Sequence, residues 1–418
     1  MRLADRFETL RPVKVLLVGS GGREHALAWK LAQSPQFGEL HAAPGNPGIA
    51  KLGDCHPVRA EDGEGLLGLC RDRGIDLAII GPEAPLVAGV GDQLRHAGVA
   101  VLGPGRAASR IEGSKAFAKE VMAAAGVPAA ERLPVARPPC VVKLDGLAAG
   151  KGVFVCRTQE ELDAGLRAAS ASGQPLVIEE LLEGEELSVF ALCDGRDALA
   201  LAAAQDFKRV GDGDTGPNTG GMGSYSPVPG FGPMEVEELV DAIHRPVVAE
   251  LARRGAPFVG VLFAGLMLTA EGPRVLEFNA RFGDPETQAL MPLLEGDVLA
   301  ALWAAATGEP PNKPAPANGA AVTVVLAAPE YPARNDAGTP IAGVAEAEAA
   351  GALVFHAGTA LRDDRLVTNG GRILAVTGVG DDVAGARAVT YEAVARISFA
   401  GMRFRSDIAV GMEGHVRA

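Results

Sequence analysis

Short apolar segments alternate with helical segments over the first hundred residues, and this alternation restricts the fold more than any other feature. Apolar runs occupy positions 13–18, 40–43, 76–80 and 99–102, with helical patterns at 23–33 and 86–97 between them. Such alternation predicts a parallel, doubly wound α/β sheet, whose ligands bind beyond the carboxyl ends of the strands. Polar or glycine-rich turns follow the apolar runs at 19–25, 44–46, 81–83 and 103–105. We therefore expect a small-molecule site at this edge of the sheet.

The first of these turns, Gly-Ser-Gly-Gly-Arg-Glu-His, indicates a phosphate site. Gly19, Gly21 and Gly22 lead into a helix, and backbone amides at a helix N-terminus bind phosphate. A dinucleotide site is the alternative, but Glu24 replaces the third glycine of that motif and no acidic residue follows the second strand to hold a ribose. The turn therefore predicts a phosphorylated small molecule as its ligand.

The segment 275–286, Val-Leu-Glu-Phe-Asn-Ala-Arg-Phe-Gly-Asp-Pro-Glu, predicts a strand with one apolar and one reactive face. Side chains alternate along a strand, so Leu276 and Phe278 should share one face while Glu277, Asn279 and Arg281 share the other. A carboxylate and an amide oxygen suit Mg²⁺, which prefers oxygen ligands and shares its shell with substrate phosphates. The arginine would then bind a second anion beside the metal.

A solvated edge strand is the alternative interpretation of this segment, because an amphipathic strand can simply face water. The acids Asp284 and Glu286 follow in a Gly-Asp-Pro turn. They concentrate more charge here than a solvated strand requires, and so they favour a functional site.

The segment 141–153 predicts a hairpin that closes over nucleotide phosphates. Gly146, Gly150 and Gly152 lie between Lys143 and Lys151, and glycines of this kind let a backbone approach phosphates. It is not a Walker A loop, because no Ser or Thr follows Lys151. A flexible surface hairpin is the alternative, but it does not explain a lysine inside the apolar run 141–144.

The rest of the chain predicts a long functional loop, a linker and a small terminal domain. The loop 205–223 is too long and too rich in charge and glycine to be an ordinary connection. A proline-rich linker at 308–318 follows a helix at 297–306. Strands at 320–326, 353–357 and 373–377 and a helix at 383–397 then predict a C-terminal α+β domain.

Charge and cysteine content exclude several classes of protein. The 418 residues carry a net charge of −13, which argues against binding nucleic acid or an anionic membrane through bulk charge. The five cysteines are scattered and contain no C-x-x-C pair, so neither a disulfide framework nor a zinc site of that type is expected. The first residues are too charged for a signal peptide, and no apolar run is long enough to span a membrane. We expect a cytoplasmic protein.

Seven ordered motifs resemble the glycinamide ribonucleotide synthetases (phosphoribosylamine–glycine ligases), an ATP-grasp family of purine synthesis. The resemblance covers the chain from about Lys14 to Gly411. The motifs are G-x-G-G-R-E-H-A at 19–26, A-P-G-N at 43–46, G-P-E-A-P-L at 81–86, E-G-S-K at 112–115, K-x-D-G-L-A-A-G-K-G-V at 143–153, K-R-V-G-D-x-D-T-G-P-N-T-G-G-M-G at 208–223 and E-F-N-x-R-F-G-D-P-E at 277–286.

The resemblance implies four domains or segments, namely an N-terminal domain at 1–110, a central ATP-grasp domain at 111–126 and 194–318, a mobile lid at 127–193 and a C-terminal domain at 319–418. It implies ligation of glycine to 5-phosphoribosylamine with ATP and Mg²⁺, or with Mn²⁺ in its place, through a glycyl phosphate. A monomer or weak homodimer without nucleic-acid or membrane partners is expected.

The family pattern also implies a role for each residue of the site. Arg281, Lys143 and Asp214 are the expected catalytic residues, and Glu277 and Asn279 the metal ligands. ATP contacts are expected from Lys115, Lys143, Gly150, Lys151, Glu179, Glu180, Leu182 and Glu186. Substrate contacts are expected from Gly19, Gly21, Gly22, Asn46, Glu83, Asp214, Arg281 and Asp284, with Asp214 toward the ammonium of glycine and Arg281 toward its carboxylate.

Three departures from the family pattern concern a side-chain contact and the lid. Ser20 stands where asparagine is common, the stretch 129–139 is short and proline-rich, and the segment before Leu176 is abridged. Two alternatives remain at this stage. One is an ATP-grasp ligase or carboxylase that acts on another acid, and the other is a nucleotide sensor without catalysis, which would not need the arginine and metal pair.

Overall fold

The computed structural model of the chain describes residues 12–147 and 152–412, and its N-terminal part is the predicted doubly wound sheet. The elements are β1 (Val13–Gly19), α1 (Gly22–Leu31), β2 (Phe37–Pro44), β3 (Asp54–Cys55), α2 (Gly63–Arg73), β4 (Leu77–Ile80), α3 (Glu83–Ala88), α4 (Val90–His96) and β5 (Ala100–Leu102). The strands pair in parallel in the order β3-β2-β1-β4-β5. The single helix predicted at 86–97 is divided, because Gly89 adopts a left-handed φ of 87° that ends α3.

Two consecutive helices lead from this sheet into the rest of the chain, α5 (Arg106–Gly113) and α6 (Lys115–Ala125). Ser114 separates them with an extended backbone, and its Oγ accepts a hydrogen bond from Phe117 N at 3.2 Å. This cap satisfies one of the amides that begin a helix without a partner. The turn between the helices therefore places Lys115 at a helix N-terminus.

A small antiparallel sheet follows, built from β6 (Cys140–Leu144), β7 (Val153–Cys156), α7 (Gln159–Ser170) and β8 (Leu176–Glu180). The strands are ordered β7-β6-β8, and α7 covers them with a small core of its own. This sheet corresponds to the predicted lid, but it is shorter than the predicted range 127–193. Its last strand ends at Glu180, and the strand that begins at Glu185 belongs to another sheet because it pairs with long central strands.

An eight-stranded sheet forms the centre of the molecule. The chain that follows the lid sheet contains β9 (Glu185–Asp194), β10 (Ala198–Asp206), β11 (Arg209–Gly211), β12 (Thr215–Asn218), β13 (Gly223–Ser226), α8 (Pro233–Leu239), α9 (Arg245–Arg253), β14 (Val259–Thr269), β15 (Gly272–Asn279), α10 (Glu286–Leu290), β16 (Leu294–Glu295), α11 (Val298–Thr307) and β17 (Ala315–Pro316). Of these strands, β11 pairs with β12 and β16 with β17 outside the eight-stranded sheet. A π-helical turn, Val240–His244, joins α8 to α9. The loop predicted at 205–223 contains the short hairpin of β11 and β12.

The C-terminal part extends the central sheet. It contains β18 (Ala320–Ala327), β19 (Asp336–Pro340), α12 (Val344–Ala349), β20 (Leu353–His356), β21 (Thr359–Arg362), β22 (Arg365–Gly370), β23 (Arg372–Gly380) and α13 (Val383–Val394). The sheet order is β15-β14-β9-β10-β13-β18-β23-β20, and β18 pairs with β13 over 223–226. The predicted boundary at 318–319 therefore lies where the chain enters a continuous sheet.

The hydrophobic cores also join the parts of the chain. One cluster of buried side chains includes Leu16 of β1, Phe278 of β15 and Val376 of β23. Charged side chains from three segments can consequently meet at fixed positions between these elements. Among the helices of residues 12–147 and 152–412, none is long and apolar enough to cross a lipid bilayer.

Candidate active site

Arg281 lies where the N-terminal sheet, the α5 helix and the end of β15 meet. Its Nε is 3.0 Å from Glu83 Oε2, and its Nη2 is 3.0 Å from Glu112 Oε1. The same Nη2 donates to Asn279 Oδ1 at 3.2 Å, and Nη1 donates to the Phe282 carbonyl at 3.1 Å. Because the guanidinium group is planar and rigid, these contacts fix its orientation.

The carboxylates around Arg281 and its guanidinium group shift one another's pKa values. Burial alone would raise the pKa of Glu83, but Arg281 and Arg23 outweigh burial and lower it to about 2. Burial likewise opposes the charge on Arg281, and Glu112 and Glu83 nevertheless raise its pKa above the ordinary value. Burial raises the pKa of Glu112, against the influence of Arg281. The guanidinium therefore stays charged in a pocket where it can meet an anion.

The strand β15 carries the predicted metal ligands, although its apolar face differs from the prediction. Residues 275 and 277 pair with adjacent residues of β14, so Leu276 forms a bulge. Val275 and Phe278 are the buried side chains, and Leu276 is only partly covered, because a bulge shifts the alternation by one residue. The prediction that Leu276 shares the apolar face is therefore wrong. Asn279 lies beside Arg281, as expected from the shared face.

The carboxylate of Glu277 lies in a positive field. Burial alone would raise its pKa, but Lys143, Lys208, Lys115 and Arg281 together lower it. The residue stays partly exposed, so a carboxylate oxygen is open to a ligand. A charged carboxylate and the Asn279 amide oxygen form an oxygen donor set that fits Mg²⁺ or Mn²⁺.

A second acidic group lies next to this strand. Lys208 forms ion pairs with Glu186 and with Asp206, the latter at 3.5 Å. Glu286 is buried, and its Oε1 accepts from Ser188 Oγ at 3.5 Å. Burial, together with the charge on Asp206, raises the pKa of Glu286 to about 7. Glu186, a predicted ATP contact, thus lies at the same edge of the site as the predicted metal ligands and is paired with Lys208.

Lys143 is held at the base of the lid by a buried carboxylate. Its Nζ lies 2.7 Å from Glu179 Oε2 and donates to the Leu276 carbonyl at 2.9 Å. The other oxygen of Glu179 lies 3.0 Å from Lys119 Nζ. Glu179 was predicted as an ATP contact, but its carboxylate is occupied by the two lysines. Its geometry suits a residue that positions Lys143.

The hairpin that is predicted to close over nucleotide phosphates forms hydrogen bonds with the N-terminus of α6. Asp145 Oδ1 accepts from Ser114 Oγ at 3.0 Å and from Ala116 N at 3.2 Å. Lys115 Nζ donates to the Gly146 carbonyl at 3.0 Å. The structure therefore places Lys115 and Lys143 on the two elements that border the hairpin. The predicted ATP contacts Gly150 and Lys151 lie outside the described residues.

Two predicted ATP contacts, Glu180 and Leu182, lie where the chain leaves β8 and runs toward β9. Glu180 Oε1 accepts from Arg274 Nη2 and from Glu131 N, both at 2.6 Å. Leu182 is buried. The segment between β8 and β9 is thereby fixed against β15, and it joins the lid sheet to the central sheet.

The first glycine turn lines a cavity of about 380 Å³ at the carboxyl ends of β1 and β2. Gly19 has a φ of 129°, which favours glycine at this position. A Cβ at Gly21 would lie 2.7 Å from Glu24 Oε2, and a Cβ at Gly22 would lie 2.6 Å from Gln288 Nε2, so the ends of these two side chains would have to move. The side chains and turns that line the cavity are Gly19, Ser20, Gly21, Arg23, Glu24, Pro44, Arg59, Ala60, Glu61, Pro82 and Asp284.

Two predicted substrate residues are held by other parts of the protein. Asn46 is buried; its Nδ2 donates to the carbonyls of Ser20 at 2.9 Å and His356 at 2.8 Å, and its Oδ1 accepts from two backbone amides. It therefore positions the turns that border the cavity. Asp284 Oδ2 lies 3.1 Å from Arg372 Nη2, so the C-terminal part braces the Gly-Asp-Pro turn.

Asp214 is not joined to this group. Its Oδ1 lies 3.1 Å from Arg405 Nη1, and its side chain is 69% exposed. Its φ of 57° places it in a tight turn between β11 and β12. Its expected contact with glycine stays a prediction.

Several residues of the site were not predicted. Glu112 lies in the E-G-S-K motif and Arg23 in the first glycine motif, so both motifs carried a signal that was not assigned a role. Arg59 and Arg372 lie in segments with no motif. Only the pairing of distant strands brings these two arginines to the cavity and its border.

Three family models together match almost the whole described chain. They are the N domain of phosphoribosylglycinamide synthetase at residues 13–112, its ATP-grasp (A) domain at 113–287 and its C domain at 321–411. The chain belongs to the phosphoribosylglycinamide synthetase family. The resemblance inferred from the seven motifs is thereby confirmed, and so is the ATP-grasp ligase class.

Curated members of the family align with this chain over almost their whole length. A phosphoribosylamine–glycine ligase of Agrobacterium fabrum is 50% identical over 95% of this chain and 98% of its own length. One from Streptomyces coelicolor is 48% identical over 96% of this chain and 100% of its own length.

Solved structures agree with the fold. The crystal structure of a Thermotoga maritima phosphoribosylamine–glycine ligase is 34% identical, has a TM-score of 0.82 and covers 95% of this chain and 100% of that one. A biotin carboxylase domain of the Hydrogenobacter thermophilus 2-oxoglutarate carboxylase, in complex with MgADP and bicarbonate, has a TM-score of 0.70 at 17% identity and covers 94% of this chain and 91% of that one. The second similarity concerns the fold alone.

Proposed function

We propose that this protein ligates glycine to 5-phosphoribosylamine with ATP, through a glycyl phosphate, and forms glycinamide ribonucleotide, ADP and phosphate. The observation that carries the proposal is the position of Arg281. Its guanidinium is fixed by Glu83, Glu112 and Asn279 between the glycine-rich cavity and the oxygen ligands of β15. A cation held at that position can stabilise an anionic intermediate that forms between a bound nucleotide and an acceptor.

The nucleotide half of the proposal rests on the lysines and the linker. Lys143 and Lys115 border the hairpin and would contact the phosphates of ATP, while Glu179 positions Lys143. Glu180, Leu182 and Glu186 would surround the adenosine. The sequence predicts further contacts with ATP from Gly150 and Lys151.

Glu277 and Asn279 would hold Mg²⁺, or Mn²⁺ in its place. Such an ion neutralises charge on the transferring phosphoryl group. The residues themselves are suited to this, because four cationic side chains keep Glu277 ionised and Asn279 is fixed by Arg281.

The acceptor half rests on the cavity. Gly19, Gly21 and Gly22 expose backbone at the start of α1, where a phosphate of phosphoribosylamine would bind. Arg23 and Arg59 add positive charge at the wall. Glu83 and Asp284 would border the ribose and amine, and Asn46 would keep the turns in place.

The chemistry follows from the poor electrophilicity of a carboxylate. A glycine carboxylate oxygen attacks the γ-phosphorus of ATP, the bond to the bridging oxygen breaks, and ADP leaves. The amine of phosphoribosylamine then attacks the glycyl carbon, the carbon–oxygen bond to phosphate breaks, and the amine loses a proton. Arg281 stabilises the negative charge that develops on the acyl phosphate.

The proposal includes a cytoplasmic monomer or weak homodimer that acts on these small molecules without nucleic acid or membrane. All five cysteines are free, as expected in a reducing compartment. Asp214 is retained as a contact for the glycine ammonium, which would require the turn at β11 and β12 to approach the site.

The test is an assay of phosphate release with purified protein. Release should require ATP, glycine and phosphoribosylamine together. Bicarbonate or another amino acid in place of glycine tests the alternative of a carboxylase or a different ligase. Phosphate release that is independent of phosphoribosylamine, or that is supported equally by bicarbonate, would reject the proposal.

A further inference from the structure

Two histidines and an aspartate form a compact group on the N-terminal sheet, apart from the residues assigned above. His41, Asp54 and His56 each offer a ligand atom, and these atoms lie within 4.8 Å of one another. His41 Nδ1 is 3.0 Å from His56 Nε2. Two imidazole nitrogens bound to one tetrahedral ion at about 2.0–2.1 Å lie about 3.3 Å apart, so the observed approach is close to the distance that metal binding requires.

Strand pairing builds this group. His41 of β2 is the register partner of Asp54 of β3, and partners across a parallel pair project from the same face. His56 N donates to the Ala42 carbonyl at 2.8 Å, which fixes the second histidine at the end of β3. The three side chains are therefore brought together by backbone hydrogen bonds and do not depend on a flexible loop.

The surroundings of His41 match those of a metal-bound imidazole. The residue is buried, 3% exposed, and its Nε2 makes no hydrogen bond with the described part of the chain. Glu39 Oε2 lies 3.4 Å from that Nε2, and Lys14 lies 3.0 Å from the other carboxylate oxygen. A histidine that binds a metal through one nitrogen commonly donates the other N–H to a carboxylate.

The group is also accessible from solvent. Asp54 is exposed and His56 is partly exposed, so a metal ion could enter from that side.

We propose that His41, His56 and Asp54 bind a divalent transition ion of the Zn²⁺ class, with a water in the fourth position. Nitrogen ligands select this class over Mg²⁺, which prefers oxygen. The site is therefore separate in chemistry from the oxygen ligands Glu277 and Asn279. The competing explanation for the 3.0 Å approach is a direct hydrogen bond between the two rings.

An ion at this position would connect the sheet to a wall of the cavity. The chain runs from His56 to Arg59, Ala60 and Glu61, which line the cavity at the carboxyl ends of the strands. Fixing His56 to β2 would restrict how these residues move. This consequence bears on the substrate side, but the metal site itself does not depend on the proposed reaction.

The test is a Zn²⁺ titration of the full chain, free of affinity-tag histidines and stripped of metal, against a chromophoric chelator. Excess Mg²⁺ is kept present throughout to occupy the oxygen ligands. We expect one Zn²⁺ per chain, with affinity reduced more than about tenfold in His41→Gln and in His56→Gln, and about tenfold in Glu39→Gln. The exposed His96 provides a matched control, since His96→Gln should bind as the unsubstituted protein does.

A second measurement covers the case in which replacing the buried His41 disturbs folding. Zn²⁺ should raise the Tm of the unsubstituted protein and raise that of Asp54→Asn less, and Asp54 is exposed enough to be replaced without loss of packing. Failure of the unsubstituted chain to bind Zn²⁺ would overturn the proposal and leave the hydrogen bond as the explanation. Binding that His56→Gln and Asp54→Asn leave unchanged would overturn it as well.

Discussion

Arg281 Nε lies 3.0 Å from Oε2 of Glu83, although the two residues are 198 positions apart in the chain. One belongs to the turn after the last strand of the hairpin β14–β15, and the other begins α3 on the N-terminal sheet. Their contact joins the proposed acceptor cavity to the proposed phosphoryl-transfer site. The proposed stabilisation of the acyl phosphate by Arg281 therefore depends on this pair.

Replacing Arg281 by lysine should lower kcat by roughly 10²–10³-fold, because a lysine keeps the charge but loses the rigid, planar guanidinium that four acceptors hold. Steady-state phosphate release measures the change. Arg396→Lys is the control, because Arg396 forms an ion pair with the neighbouring Glu392 on the surface of the C-terminal part. An Arg281→Lys enzyme with ordinary kcat would contradict the assigned role.

Glu277→Gln and Asn279→Ala should each raise the Mg²⁺ concentration needed for half-maximal activity by about 10–100-fold. Glu277→Gln removes the negative charge of one proposed ligand, and Asn279→Ala removes the oxygen of the other, while the fold should change little. Activity measured over a range of Mg²⁺, alongside the Tm of each variant, separates the two effects. Glu271→Gln, in the exposed turn of the same hairpin, should match the unsubstituted enzyme. Unchanged Mg²⁺ dependence in both site variants would refute the ligand assignment.

Glu179→Gln should raise KM for ATP by about tenfold, because Lys143 loses the carboxylate that orients it and a buried charge loses its partner. The comparison is Lys119→Met, which leaves the Lys143–Glu179 pair intact and should have the smaller effect on KM. Initial rates at varied ATP make the measurement. Equal changes of KM for ATP in the two variants, or no change in either, would mean that Glu179 does not position Lys143.

The Glu83 carboxylate should stabilise the fold at neutral pH and lose this effect in acid. Its pKa of about 2 lies below the ordinary value of 4.5, so the stabilisation is complete above 4.5 and declines as pH falls toward 2. The contribution should shrink by roughly 2 kcal/mol between pH 6 and pH 3. The difference in Tm between the unsubstituted protein and Glu83→Gln should therefore narrow over that range. A constant difference would mean that Glu83 is not paired with Arg281 in the folded state.

Local patterns were enough to predict the parallel N-terminal sheet and the ATP-grasp motifs. The apolar runs at 13–18, 76–80 and 99–102 became β1, β4 and β5, because each is short, buried and followed by a turn. Lys143, Glu277 and Asn279 could be singled out because each is a polar residue within an otherwise apolar strand segment. In such segments the residues that identify the site lie close together in the sequence.

Non-local pairing accounts for most of what the sequence did not reveal. The strand Glu185–Asp194 pairs with β14 and β10 in place of the lid sheet, and β18 continues the central sheet through β13. Periodicity predicts a strand but not its neighbour. Leu276 was placed on the wrong face because a bulge depends on the register with β14, which the sequence of β15 alone does not contain.

Arg372 illustrates the same limit at the site. It begins β23, surrounded by ordinary apolar and glycine residues, and no motif marks it. It reaches Asp284 only because β23 pairs with β18 and so brings the C-terminal part against the Gly-Asp-Pro turn. Such residues can be identified from the folded arrangement but not from the local sequence.

The most direct test of the account uses glycine labelled with ¹⁸O in both carboxylate oxygens. If glycine is activated as an acyl phosphate, one labelled oxygen must leave with phosphate when the amine attacks, and the other must remain in the amide. Mass spectrometry of the released phosphate should then find one ¹⁸O in each molecule formed. Phosphate without the label, and ¹⁸O in the amide product only, would contradict the acyl-phosphate route and the role of Arg281 in it.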